Sequence, residues 1–215
     1  MNFTQEDSDK LLTIIKARRD VRGKARRDVR GGRFVEKQVE EEKLQKLLQA
    51  AIYAPSVGYS QPWEFVIIKN SNIKEAVYNS FVKENDKAKK IFDSALYDSL
   101  KLEGIKEAPI NIAVLYNPPK KATLGMTSFA KAGEYSVVCA VENMWLMARA
   151  LNLGMGWVSI VDEATVLEVV QAKEGAKLIA YLCVGYVDYF FDEPELKKLG
   201  WEEEKSVESV VQILE

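Results

Sequence analysis

Apolar residues recur along the chain in helical and strand-like spacings by turns. "DKLLTIIKARR" sets Leu11, Leu12, Ile14 and Ile15 on one side, which predicts a first helix capped by Asp7 or Ser8. "EEEKLQKLLQAAIY", residues 40–53, predicts a second with Leu44, Leu47, Leu48 and Ala51 inward. Its acidic first turn suits the helix dipole. "APSVGYSQPW" (residues 54–63) is rich in turn residues and predicts a loop, and "EFVIIK" (64–69) predicts a buried strand. A long charged stretch follows, mostly helical, with a break expected near Asn85-Asp86; residues 82–104 are a candidate lid.

"APINIAVLYN" (108–117) predicts a second strand, ended by Pro118-Pro119. "EYSVVCAVENMWLMARALNLG" (134–154) predicts a long helix. Val137, Val138, Val141, Trp145 and Ala148 predict burial over most of it, with Gly154 at the C-cap. "MGWVSIV" is a third strand carrying Ser159, "DEATVLEVVQA" a short surface helix capped by Asp162, and "KLIAYLCVGYVD" a fourth strand. The tail is polar with an apolar end, "VVQIL". This order fits α/β or α+β, with one sheet of about four or five strands in one domain spanning residues 1–215. The long apolar helix and "VVQIL" exceed what a monomer surface carries, so an obligate dimer is expected.

Composition narrows the chemistry. The chain has 215 residues, 47% apolar and 29% charged, with net charge -2, so no nucleic-acid or membrane partner is expected. The acidic start is unlike a signal peptide, and no apolar run reaches the roughly 18 residues of a membrane span. Cys139 and Cys183 lie in apolar contexts; both are expected as buried free thiols, consistent with a reducing, cytoplasmic compartment. There is no histidine, which excludes Ser-His-Asp and Cys-His nucleophiles and most zinc sites.

Positive charge is concentrated instead. Residues 16–33 hold nine Lys or Arg against two Asp. Within them, "KARRDVRG" occurs twice in tandem, at 16–23 and 24–31. Arginine forks match phosphate oxygens, so "RRDVR" can wrap a phosphate; it can equally be a solvated basic helix end. In the 54–63 loop, Ser56, Gln61 and backbone amides can hydrogen-bond a planar heteroaromatic ligand, or serve only as an ordinary loop. "GMGWVSI" offers two glycines that allow close backbone approach, but it does not open a helix after a strand, so it is no dinucleotide fingerprint.

Taken in order, "RRDVR", "APSVGYSQPW", "SLKLEGIKEAP", "YSVVCAVENMWLMARALNLGMGWVSI" and "AYLCVGYVDYFFDEPELKKLGW" resemble the nitroreductase-like flavoproteins. Within these they are most similar to the 5,6-dimethylbenzimidazole synthases. The resemblance covers residues 11–201. The aspartate in "RRDVR", "GWVSI" and "DEPELKKLGW" are the parts specific to the synthases. The resemblance implies an α+β, three-layer nitroreductase-like fold. Its central, mostly antiparallel sheet of four to five strands is flanked by helices, and FMN sits at the interface of an obligate homodimer. It also implies that reduced FMN is consumed as a substrate. O2 attacks the flavin, which fragments to 5,6-dimethylbenzimidazole, the lower ligand of vitamin B12, releasing erythrose 4-phosphate. An external flavin reductase supplies the electrons. The alternatives are an NAD(P)H-dependent nitroreductase or flavin reductase, and a non-catalytic FMN-binding protein.

Carried over by motif, Arg26, Arg27, Asp28, Val29, Arg30, Ser56, Gln61, Pro62, Leu102, Gly156 and Ser159 bind the flavin, with Asp28 and Ser159 catalytic. The duplication is a departure from the family, which has one such unit. Eight helical residues span about 12 Å and turn about 80° beyond two full turns, so both copies cannot fill one phosphate site. The second copy keeps its connection to Gly32, Arg33 and the apolar anchor Phe34. It is therefore expected to be the working one, with Asp20 as the alternative to Asp28. Residues 16–23 are expected to be the spare, a solvent-exposed helix extension or loop.

Overall fold

The structure, a computed structural model, describes residues 2–22, 34–100 and 102–214. Helix α1 spans Gln5–Ala17, α2 Glu41–Ile52, α3 Ser71–Lys89, α4 Ala95–Ser99, α5 Ala132–Ala150, α6 Glu163–Val169, α7 Glu195–Lys198 and α8 Val207–Val210. Strands β1 (Trp63–Ile68), β2 (Ile110–Tyr116), β3 (Gly154–Val158) and β4 (Lys177–Gly185) form one four-stranded sheet in the order β1-β2-β4-β3. Every neighbouring pair is antiparallel. Every residue of β2 is buried, as befits a central strand covered on both faces, and its one polar member, Asn111, donates to the Ile105 carbonyl and the Tyr181 hydroxyl.

Two cores lie on opposite faces of the sheet, which makes three layers. On one face, Leu44, Leu47 and Ala51 of α2 meet Val137, Ala140, Val141, Met144 and Ala148 of α5. On the other, Val77 and Phe81 of α3 and Val166 of α6 pack with Ala113, Leu115, Tyr181 and Cys183. The chain is thus α+β, with the expected strands in the expected order.

Several boundaries differ from the sequence expectation. Thr4 caps α1 in a capping box whose other member is Asp7, so the helix starts before the apolar pattern does. None of α1's residues is buried, and Leu11, Leu12 and Ile15 are exposed. Helix α3 runs unbroken through Asn85-Asp86. The Tyr97 hydroxyl donates to Asn85 Oδ1 at 2.8 Å, so this polar pair is tied down rather than a hinge. Helix α5 ends at Ala150, where Asn152 takes the left-handed turn (φ 57°), and Gly154 opens β3 instead of capping a helix. One face of α5 is uncovered: Tyr135, Val138 and Cys139 are exposed, against the expected burial of Val138 and Cys139. Both cysteines are free, and only Cys183 is buried.

Candidate active site

The site is organised where the first copy of the repeat leaves α1 and lies along β3. The Val21 N–H donates to the Met155 carbonyl at 3.0 Å, and Asp20 forms a parallel bridge with Met155. The Trp157 N–H donates to Asp20 Oδ1 at 3.0 Å. Glycine makes this approach feasible. A Cβ on Gly156 would stand 1.9 Å from the Val21 carbonyl oxygen, and one on Gly154 would stand 3.1 Å from Val21 Cγ2 and 2.5 Å from Val187 Cγ1. The predicted close backbone approach at "GMG" is therefore made by the chain's own arginine–aspartate segment.

Each arginine of this copy has a defined environment. Arg18 lies 4.8 Å from the centre of the Trp145 ring. The Trp145 indole N–H is shared between the carbonyls of Arg19 (3.2 Å) and Met155 (3.1 Å). Arg19 donates to the carbonyls of Phe191 (2.9 Å) and Asp192, and Arg149 donates to the Ala17 carbonyl at 3.0 Å. Arg22 approaches Asp20 Oδ2 through Nη2 at 3.1 Å and Nε at 3.2 Å, and its Nη1 lies 3.6 Å from Glu195 Oε2. Burial pushes the Asp20 carboxyl above the usual carboxylate range; Arg22 and the Trp157 amide oppose that rise. Burial likewise raises Glu195 and lowers Arg19.

These contacts correct one expectation. Within the expected spare at 16–23, residues 17–22 are not solvent-exposed: Val21 is only 5% exposed and joins the core, and Asp20 is seated on the sheet. Arg26, Arg27, Asp28, Val29 and Arg30 lie outside the described residues. Phe34 is buried and bridges Val187, and Val35 N–H donates to the Tyr186 carbonyl at 2.9 Å, so Phe34 does anchor the returning chain.

The remaining candidates fall into two groups. Gly156 is buried beneath Val21, and Ser159 is exposed in the first position after β3, not on the strand. Leu102 is half-buried against the α3/α6 core. The adjoining Glu103 is buried, and its Oε2 accepts the Ile105 N–H at 2.6 Å. Ser56, Gln61 and buried Pro62 lie at the opposite edge, because their loop leads into β1 and β1 and β3 are the two edge strands. That loop is tightly made. Ser56 Oγ accepts the Gln61 N–H at 3.1 Å, Val57 N–H donates to Ser136 Oγ at 3.0 Å, and Tyr59 and Gln61 hold left-handed backbones (φ 52° and 45°). Such conformations cost on the order of 1 kcal/mol each.

The sequence alone gives Glu195 and Trp145 no part in the site. Trp145 reads as one more apolar helix position, and Glu195 is a lone acid in a polar tail. Among the described residues no group of acidic, Cys or His side chains is placed to hold a metal, and no helix is long and apolar enough to cross a membrane.

The sequence profile of the nitroreductase family matches residues 24–186. The chain belongs to the nitroreductase family. The match starts at the second copy of the repeat, the one contiguous with everything downstream. A 5,6-dimethylbenzimidazole synthase of Rhodospirillum rubrum is 37% identical over 205 residues, 93% of this chain and 92% of that one. A synthase of the same name from Rhodobacter capsulatus is 31% identical over 94% of this chain and 96% of its own. Among solved structures, iodotyrosine deiodinase bound to FMN and 3-iodo-L-tyrosine superposes with TM-score 0.73 at 21% identity, over 95% of this chain and 99% of that one. A nitroreductase with bound FMN from Bacteroides fragilis gives TM-score 0.63 at 23% identity, over 96% of this chain and 99% of its own. These two likenesses establish the fold.

Proposed function

We propose that this chain is a 5,6-dimethylbenzimidazole synthase: it takes up reduced FMN, made by a separate flavin reductase, and with O2 fragments it to 5,6-dimethylbenzimidazole and erythrose 4-phosphate. The 37% identity to the Rhodospirillum rubrum synthase over nearly the whole chain carries this reading. The residues present fit the ligand. Arg22 Nη1 is buried with no hydrogen-bond acceptor among the described residues, and Arg18 stands within the same five-residue unit, two guanidinium groups suited to a phosphate. The flavin supplies the redox chemistry, so the absence of histidine is no obstacle.

The chain's own residues bind, orient and move protons. In this reading Asp20 takes the role expected of the motif's aspartate, because it is the copy seated against β3; the role of Asp28 is tested beside it. A carboxyl whose proton affinity is raised by burial holds a proton more readily than a solvated one, which suits it to proton transfer. Ser159 presents its hydroxyl at the end of the same strand. Ser56, Gln61 and Pro62 complete the site from a second protomer. Two observations favour that dimer: the loop and the Asp20–Ser159 group sit on opposite sheet edges, and Leu11, Leu12, Ile15, Val138, Val210 and Ile213 are exposed on one chain. The segment 82–104 acts as the lid that excludes water. Free thiols at Cys139 and Cys183 suit a cytoplasmic setting.

The test mixes the protein with excess FMNH2 in air and seeks 5,6-dimethylbenzimidazole by mass spectrometry. Steady NAD(P)H oxidation with intact flavin overturns this reading in favour of a nitroreductase. Tight FMN binding with neither turnover leaves a flavin-binding protein.

A further inference from the structure

We infer that Glu195 is a positioning residue for Asp20, acting through the guanidinium of Arg22 that the two carboxylates share. The inference rests on the proposed role of Asp20. Arg22 stands between the acids, 3.1 Å from Asp20 Oδ2 and 3.6 Å from Glu195 Oε2. The three side chains are 17%, 30% and 25% exposed for Arg22, Asp20 and Glu195, so water screens this group far less than a surface pair. Two acids and one base leave one net negative charge. Glu195 therefore draws Arg22 away from Asp20 and destabilises the Asp20 anion by its own charge.

The geometry holds Glu195 for this task. Helix α7 follows Pro194 and is braced at its far end by the Trp201 N–H donating to the Leu196 carbonyl at 2.9 Å. The Trp201 ring packs 5.6 Å from Phe92 and 6.2 Å from Tyr97, in the segment read as a lid. The helix that carries Glu195 is thus packed between the lid and the docked copy of the repeat. The other ionisable groups facing Asp20 are Arg18 and the Cys183 thiol, with the Trp157 amide completing its surroundings.

The experiment follows Asp20 directly, by NMR of protein labelled with 13C at aspartate carboxyls, the Asp20 signal being assigned by its loss in Asp20→Asn. In Glu195→Gln the Asp20 midpoint falls by about half a unit or more, since even a well-screened charge at this range is worth that much. The acid limb of the pH–activity profile moves with it. Glu195→Asp, which keeps the charge, leaves the midpoint near that of the parent chain. An unmoved or raised midpoint in Glu195→Gln overturns the inference. A structural role alone lowers stability without moving the midpoint. Because these titrations need no flavin turnover, they stay readable if no benzimidazole is formed.

Discussion

Asp20 accepts the Trp157 amide at 3.0 Å on the strand that ends one residue before Ser159. The two polar residues proposed for catalysis thus both belong to the β3 edge of the sheet, although 139 positions separate them in the chain. Asparagine at 20 keeps an acceptor for that amide and removes the charge and the titrating proton. Asp20→Asn is expected to lower benzimidazole formation about 100-fold or more, in the range for loss of an acid–base group. Asp28→Asn is expected to stay within about threefold of the parent chain. The reverse order of the two losses would return the role to the second copy.

Gly156 gives a stability test. A Cβ there would sit 1.9 Å from the Val21 carbonyl, a backbone atom that cannot swing aside. Gly156→Ala is expected to cost about 1–3 kcal/mol in urea denaturation, typical of overpacking, and to weaken FMN binding as the segment lifts off β3. Stability within about 0.5 kcal/mol of the parent, with unchanged FMN affinity, would show that the docked segment is not what the glycine serves.

Elements with strong periodicity were legible in the sequence. Leu44, Leu47 and Ala51 bury the predicted face of α2, the mostly apolar β2 is buried throughout, and Asp162 caps α6 through the Thr165 amide. Features set by tertiary context were not. Asn85 looked like a helix break because nothing local reveals the Tyr97 hydroxyl that binds it. Gly154 looked like a cap because its need for space arises from Val21 and Val187, distant in sequence. Two identical copies of the repeat offer no local signal for which one docks. Cys139 and Val138 looked like core because one chain leaves a face of α5 uncovered. Glu195 gains meaning only beside Arg22.

The raised proton affinity of Asp20 predicts a pH signature in stability. A carboxyl whose folded pKa lies above its unfolded value binds its proton more tightly when folded. Its contribution is fully present below the unfolded value, near 3.9, and is lost as pH rises through the folded value. Denaturation followed upward from about pH 4 is expected to show the parent chain losing stability relative to Asp20→Asn as pH rises, the difference levelling off once pH has passed the folded value. A relative gain for the parent as pH rises would mean that Arg22 and the Trp157 amide outweigh burial.

Deleting one copy tests whether the duplication is dispensable. Deleting 16–23 or 24–31 yields the same sequence, since the units are identical and adjacent, so a deletion cannot choose between copies. It can show that one suffices. The chain leaves the sheet at Val21 and returns at Phe34, whose bridge partner is Val187. Val21 and Val187 flank the same glycine: a Cβ on Gly154 would lie 3.1 Å from one and 2.5 Å from the other. Exit and return are therefore close together. After deletion of 24–31 the connection is Arg22, Gly23, Gly32 and Arg33, which can reach about 16 Å when extended. Two of the four are glycines, which turn readily. The deletion variant is expected to be folded and within about threefold of the parent in benzimidazole formation. Loss of activity with intact folding would assign the second copy a part in the site.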